Sequence, residues 1–193
     1  MAPLLPKRSM SERILETADR LFYQHGIRAT GVDTIAAEVG ISKRTLYNHF
    51  PSKDALIAAY LESRASPLPV SDKPPLDQIL GTFDRLERSF GRADFRGCPF
   101  VNAVTEIGND DKEARAIALA FKESRRLWFK NHLSQLGVTD ADGLATQLAI
   151  LVDGAIAANL VRGDPAMARA AKAAASALLK GAGIGLPEAK AKS

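Results

Sequence analysis

The residues of this chain best equipped for chemistry stand together at positions 42–49. Ser42-Lys43-Arg44-Thr45-Leu46-Tyr47-Asn48-His49 offers two cations, two hydroxyls, a phenol, an amide and an imidazole, and no carboxylate. Such a set suits an anionic partner, since it consists almost wholly of donors and ring edges. The sequence also says how it is held. Ser42 is a good helix N-cap, Ile41 before it and Leu46 after it form a hydrophobic staple, and Pro51 stops the helix after about two turns. Only Leu46 and Phe50, four apart, point inward. A helix this short does not persist alone, so its neighbours must fix it.

The neighbours are legible. Upstream, residues 30–40 read as another short helix, capped by Thr30, with Val32, Ile35, Ala36 and Val39 inward and Gly40 at its end. Two short helices about a glycine turn make a helix-turn-helix, whose second helix fits a DNA major groove. There Lys43 and Arg44 would donate to guanine edges or phosphates, Asn48 would pair with adenine, and Thr45 would meet a thymine methyl. A first helix from Ser9 to His25, with Glu12 completing a capping box and Gly26 closing it, presents Ile14, Ala18, Leu21, Phe22 and His25 as a scaffold face. After Pro51, Ser52 caps a fourth helix with Leu56, Ile57, Tyr60 and Leu61 inward and Lys53 in its first turn, where an amine reaches a phosphate. Residues 1–8, with two prolines and no periodicity, are read as an arm.

This ordered set resembles the DNA-binding domain of the TetR/AcrR family of bacterial transcriptional regulators. The resemblance covers about residues 8–68, with the helix-turn-helix at about 31–50. It rests on Ile14-Leu15, Ala18, Leu21-Phe22 and Gly26, on Thr30, Val32, Ile35-Ala36 and Gly40-Ile41-Ser42, and on Thr45-Leu46-Tyr47, Phe50, Ser52-Lys53-Asp54 and Leu56. Gly31 departs from it, because the family more often carries Ser or Thr there. The resemblance implies a DNA-facing set of Thr30, Ser42, Lys43, Arg44, Thr45, Tyr47, Asn48, His49 and Lys53, with Thr30, Tyr47, His49 and Lys53 on phosphates. It further implies a sequence-specific regulator of transcription, most simply a repressor, whose C-terminal domain binds a small-molecule effector and forms a homodimer. A two-fold dimer would read a near-palindromic operator in double-stranded DNA.

Pro67, Pro69, Pro74 and Pro75 put four of the ten prolines into residues 65–75, which marks a domain boundary. Beyond it the pattern is helical again, so residues 76–181 form a second domain and the fold is all-α. Leu76, Ile79, Leu80, Phe83, Leu86 and Phe90 define one helix, Pro99 opens a short one, and residues 111–136 a long one. Residues 142–162 and 165–180 carry more apolar and alanine surface than one core needs, which points to a second copy packing on them as a four-helix interface. The tail from residue 181, with Lys190 and Lys192, is read as lying outside the fold.

The aromatic residues Phe83, Phe90, Phe100, Phe121 and Trp128, with Cys98, Asn102 and Glu106, are the candidate effector pocket. Asn102 and Glu106 lie four apart on a mostly apolar helix, so each needs a polar partner if turned inward, from the protein or from a ligand. Arg125, Arg126 and Asn131 are further polar candidates. Two other readings stay open: control by oxidation of Cys98 or by a protein partner, and a small helical enzyme or carrier. For the latter no nucleophile-base set, phosphate-cradling loop or dinucleotide fingerprint is visible.

Composition bounds these readings. With 193 residues, 46% hydrophobic and 25% charged, the chain is long enough for one extended core or two small ones. The net charge of +4 permits DNA without requiring it. A single cysteine excludes an intrachain disulfide, and the three histidines have no paired spacing for a metal, so no cofactor or metal is expected. No uninterrupted apolar run of about 18 residues and no signal-peptide pattern were expected to direct the chain to a membrane, which leaves the cytoplasm.

Overall fold

The computed structural model describes residues 8–65, 71–108 and 111–186. Among these residues the regular elements are all helices: α1 (Met10–His25), α2 (Val32–Val39), α3 (Lys43–His49), α4 (Lys53–Arg64), α5 (Pro75–Phe90), α6 (Pro99–Ile107), α7 (Lys112–Gln135), α8 (Ala141–Arg162) and α9 (Ala166–Gly181). The all-α expectation holds. The readings made for residues 1–7, for the middle of the proline-rich break and for Lys190 and Lys192 lie outside the described residues.

Two compact units emerge. The first comprises Met1–Pro67 with Cys98–Phe121, and the second Leu68–Gly97 with Lys122–Ser193. The sequence led to a single break between residues 68 and 76. Instead α6 and the start of α7 group with α1 to α4, because α6 packs against α4 and buries Phe100 and Ala103.

In the first unit α1 is the scaffold. Its N-terminus carries the expected capping box: Ser9 Oγ accepts the Glu12 amide at 3.2 Å, and Glu12 accepts the Ser9 amide at 2.7 Å. Ile14, Ala18, Leu21 and Phe22 are buried, and α1 packs against α2, α3 and α4. Phe22 meets Tyr60 of α4 edge to face at 5.5 Å. Arg64, at the end of α4, grips Asp19 of α1 with two nitrogens, one of them Nη2 at 2.7 Å, and lies 4.4 Å over the Tyr23 ring. A bidentate, partly buried pair of this kind fixes two helices more firmly than a surface ion pair does.

In the second unit α5, α8 and α9 pack together around Ile79, Phe83, Phe90, Leu144, Leu148 and Leu179, with Phe129 and Leu133 of α7. Buried Ala145, Ala168, Ala171 and Ala175 let α8 and α9 approach closely. Lys172 reaches Asp84 at 2.6 Å and joins α9 to α5. Asp142 accepts from both Lys130 and Arg126 at 2.8 Å and joins α8 to α7, and these two bonds hold its carboxyl down at about 2.

α8 departs from one expectation. Its 22 residues are long and apolar enough to cross a membrane by length and composition, because Asp142 and Asp153 are its only acids and Arg162 stands at its very end. Only 28% of that apolar window is buried. Ile150 is 64% exposed and Val161 88%.

Candidate nucleic-acid interface

The helix-turn-helix is built by ordinary local devices. Gly40 adopts a left-handed conformation (φ 78°) at the end of α2, and the Ile41 amide turns back to the Ala36 carbonyl at 2.9 Å. A side chain at 40 would strain that turn. Ser42 Oγ then caps α3 by accepting the Thr45 amide at 3.0 Å, and the two hydroxyls bond each other at 2.8 Å. Leu46 is fully buried and anchors the helix from beneath, while Phe50 is half-buried as its C-cap.

With seven residues and a single buried anchor, α3 turns everything else outward. Lys43, Arg44, Tyr47, Asn48 and His49 are exposed, as is Ser42, while Thr45 is half-buried. Among the described residues Arg44 forms no ion pair. Lys43 does: its ammonium lies 3.0 Å from Asp33 of α2, and the hydrogen bond to Asp33 holds it above the ordinary lysine pKa.

Two residues expected on phosphates have partners in the protein. Thr30 is 3% exposed, and its hydroxyl donates to the Gly26 carbonyl at 2.7 Å. It does not cap α2 either: Gly31 is the N-cap, with no side chain to give. Its side chain is therefore withdrawn from any surface ligand. Lys53 donates to the Ile27 carbonyl at 2.6 Å, and burial pulls its pKa below the ordinary value. An ammonium keeps two further hydrogens, so Lys53 still has donors for a phosphate.

The candidate effector residues divide between the units. Phe83, Phe90 and Trp128 belong to the second; Cys98, Phe100, Asn102, Glu106 and Phe121 belong to the first. In the second unit Phe83, Phe90 and Trp128 belong to one hydrophobic core cluster. Phe83 and Phe90 are core, Phe100 stacks on Phe121 at 3.8 Å, Trp128 lies 4.1 Å from the His132 ring, and the Cys98 thiol is buried. Glu106 takes its partner from the protein, accepting the Arg28 amide at 2.9 Å. A groove of about 370 Å³ in the second unit is lined by Val138, Leu144, Gln147, Leu178 and Ala182, none of them among the candidates. Asn159 was missed altogether. It is 5% exposed, and its Oδ1 has no partner among the described residues. An amide in the apolar second half of α8 is the only sign of it in the sequence.

Residues 14–60 match the family model described as bacterial regulatory proteins, tetR family. A solved TetR transcriptional regulator from Streptomyces avermitilis is 31% identical, with a TM-score of 0.82, and covers 92% of this chain and 100% of its own. The chain belongs to the TetR family. As a TetR-family protein it is a DNA-binding transcriptional regulator, with an N-terminal helix-turn-helix and a C-terminal helical domain. Among curated TetR-type relatives, the HTH-type transcriptional repressor KstR2 of Mycolicibacterium smegmatis is 29% identical over 149 residues, 72% of this chain and 71% of that protein. The HTH-type transcriptional regulator YerO of Bacillus subtilis is 49% identical, but over 51 residues that make up 26% of this chain and 18% of YerO.

Proposed function

We propose that this protein is a homodimeric repressor that binds a near-palindromic operator through α3 and leaves it when a small molecule binds the C-terminal domain. The observation that carries the DNA-binding part is the outward flank of α3, where Lys43, Arg44, Tyr47, Asn48 and His49 stand exposed over the buried Leu46. Ser42 and Thr45 at the start of α3, and Lys53 at the start of α4, supply further donors. Repression is supported by relatives that bear the name repressor, KstR2 among them. Dimerisation is supported by two exposed stripes, Ile150, Gly154, Ala157 and Val161 on α8 and Ala170, Ala173, Ala174 and Ala177 on α9. Small and apolar residues over two adjoining helices are what a second copy covers. The same covering accounts for the apolar character of α8 without a membrane, in keeping with a cytoplasmic regulator.

An effector acts only by differing in affinity for the DNA-competent and released states. Burial of Cys98 disfavours the alternative of control by oxidation. The test is selection of duplexes from a random-sequence pool, followed by titration of the enriched duplex at several salt concentrations. An approximately palindromic sequence bound one dimer per site, with affinity falling steeply as salt rises, is expected. Enrichment of no sequence would refute the proposal.

A further inference from the structure

The turn that joins α1 to the helix-turn-helix is held from several sides at once. From α6, Glu106 Oε2 accepts the Arg28 amide at 2.9 Å across 78 residues of sequence. From α4, Lys53 Nζ donates to the Ile27 carbonyl at 2.6 Å, and the Thr30 hydroxyl donates to the Gly26 carbonyl at 2.7 Å. Gly26 is essential to this arrangement. It has φ 94°, and a methyl group built on it would stand 2.9 Å from Glu106 Oε2. The missing side chain is what lets the carboxylate close on the turn.

Glu106 lies well outside the helix-turn-helix in sequence, yet it grips the backbone through which α1 passes into α2. A carboxylate on a backbone amide is a strong, directional bond. Without it, the Arg28 amide loses its partner and the turn is held only from the Ile27 and Gly26 side, which loosens the angle at which α2 and α3 leave α1. Two recognition helices must meet two half-sites at one spacing, so a looser angle weakens binding even when each helix is intact.

We propose that Glu106 is a positioning residue for DNA binding, acting from α6 by holding the Arg28 amide and with it the attitude of α2 and α3 on α1. This rests on the DNA-binding reading above. A bond that served folding alone would lower the melting temperature and leave the affinity of the folded protein unchanged.

The experiment compares E106A and E106Q with the wild type on the duplex that the wild type enriches from a random-sequence pool. Each protein is first shown by circular dichroism to be folded at the assay temperature. E106A should bind about tenfold more weakly or worse, while E106Q, whose carbonyl oxygen still accepts, should stay within about threefold. The Arg28 amide proton should move upfield in E106A and hold its position in E106Q. Wild-type affinity in E106A overturns the proposal, as does E106Q binding no better than E106A. If E106A fails to fold, E106D, one methylene too short to reach, takes its place with the same outcomes. A wild type that enriches no duplex fails at the earlier step and sinks the DNA-binding reading, and this inference with it.

Discussion

Lys43 stands at the first turn of the recognition helix with its charge already engaged by Asp33. Both side chains are exposed, and water screens such pairs, so DNA can replace the carboxylate at small cost. Asp33→Asn should free Lys43 for phosphates of any sequence. Affinity for random duplex should rise less than about fivefold, and the plot of log affinity against log salt should steepen by about one counterion. An unchanged slope would show that Lys43 does not reach phosphate. Thr30 makes the opposite case. In the sequence it has the look of a cap, a Thr just before an apolar helical pattern, but Gly31 takes the cap position and the Thr30 hydroxyl points back to Gly26. Thr30→Val should cost about 1 kcal/mol in a denaturant melt by removing that bond, with no change in salt slope. A slope shallower by one would return Thr30 to the DNA-facing set.

At the scale of elements, helix ends were the most legible features and interhelical ties the least. The capping box of α1, the Ser42 cap of α3 and the Ser52 cap of α4 all follow from residues three apart along the chain. Ser9→Ala should destabilise the folded state by about 1 kcal/mol in urea unfolding, with the helix-turn-helix otherwise intact. The tie between α7 and α8 could not be foreseen, since nothing in the sequence brings Lys130 and Arg126 to Asp142. It has a definite pH signature. The Asp142 carboxyl, held at about 2 by Lys130 and Arg126 against an ordinary 3.8, binds fewer protons folded than unfolded. Its stabilisation is therefore complete above its ordinary pKa and is lost as pH falls through about 2. Asp142→Asn should flatten the fall in melting temperature over that acid range and leave the neutral range parallel to wild type. An identical acid profile would show the tie to be inert.

For the whole molecule, the proposed second copy must cover the exposed faces of α8 and α9. α8 is apolar nearly all round, and a helix of that kind is either buried or partnered. Val161 and Ile150, on its outer side, are exposed in the single chain. The double substitution of Ile150 and Val161 by Glu should give a monomer mass in size-exclusion chromatography with light scattering, where the proposed interface has the wild type run as a dimer. Operator affinity should fall by orders of magnitude in step, because one chain reaches only one half-site. A variant that stays dimeric would move the interface elsewhere.

Local rules alone determined the order of the nine described helices, the caps of α1, α3 and α4, the helix-turn-helix and the outward flank of α3, because each depends on residues within a turn or two of one another. The TetR resemblance belongs with these, since its motifs are equally local. Only the tertiary structure decided that residues 98–121 group with α1 to α4, that Thr30 is buried, and that Lys43 and Glu106 have protein partners at Asp33 and Arg28. Those facts turn on contacts between segments distant in sequence. A periodic pattern says that a face is buried or that a polar group needs a partner, but it does not say which other segment supplies it.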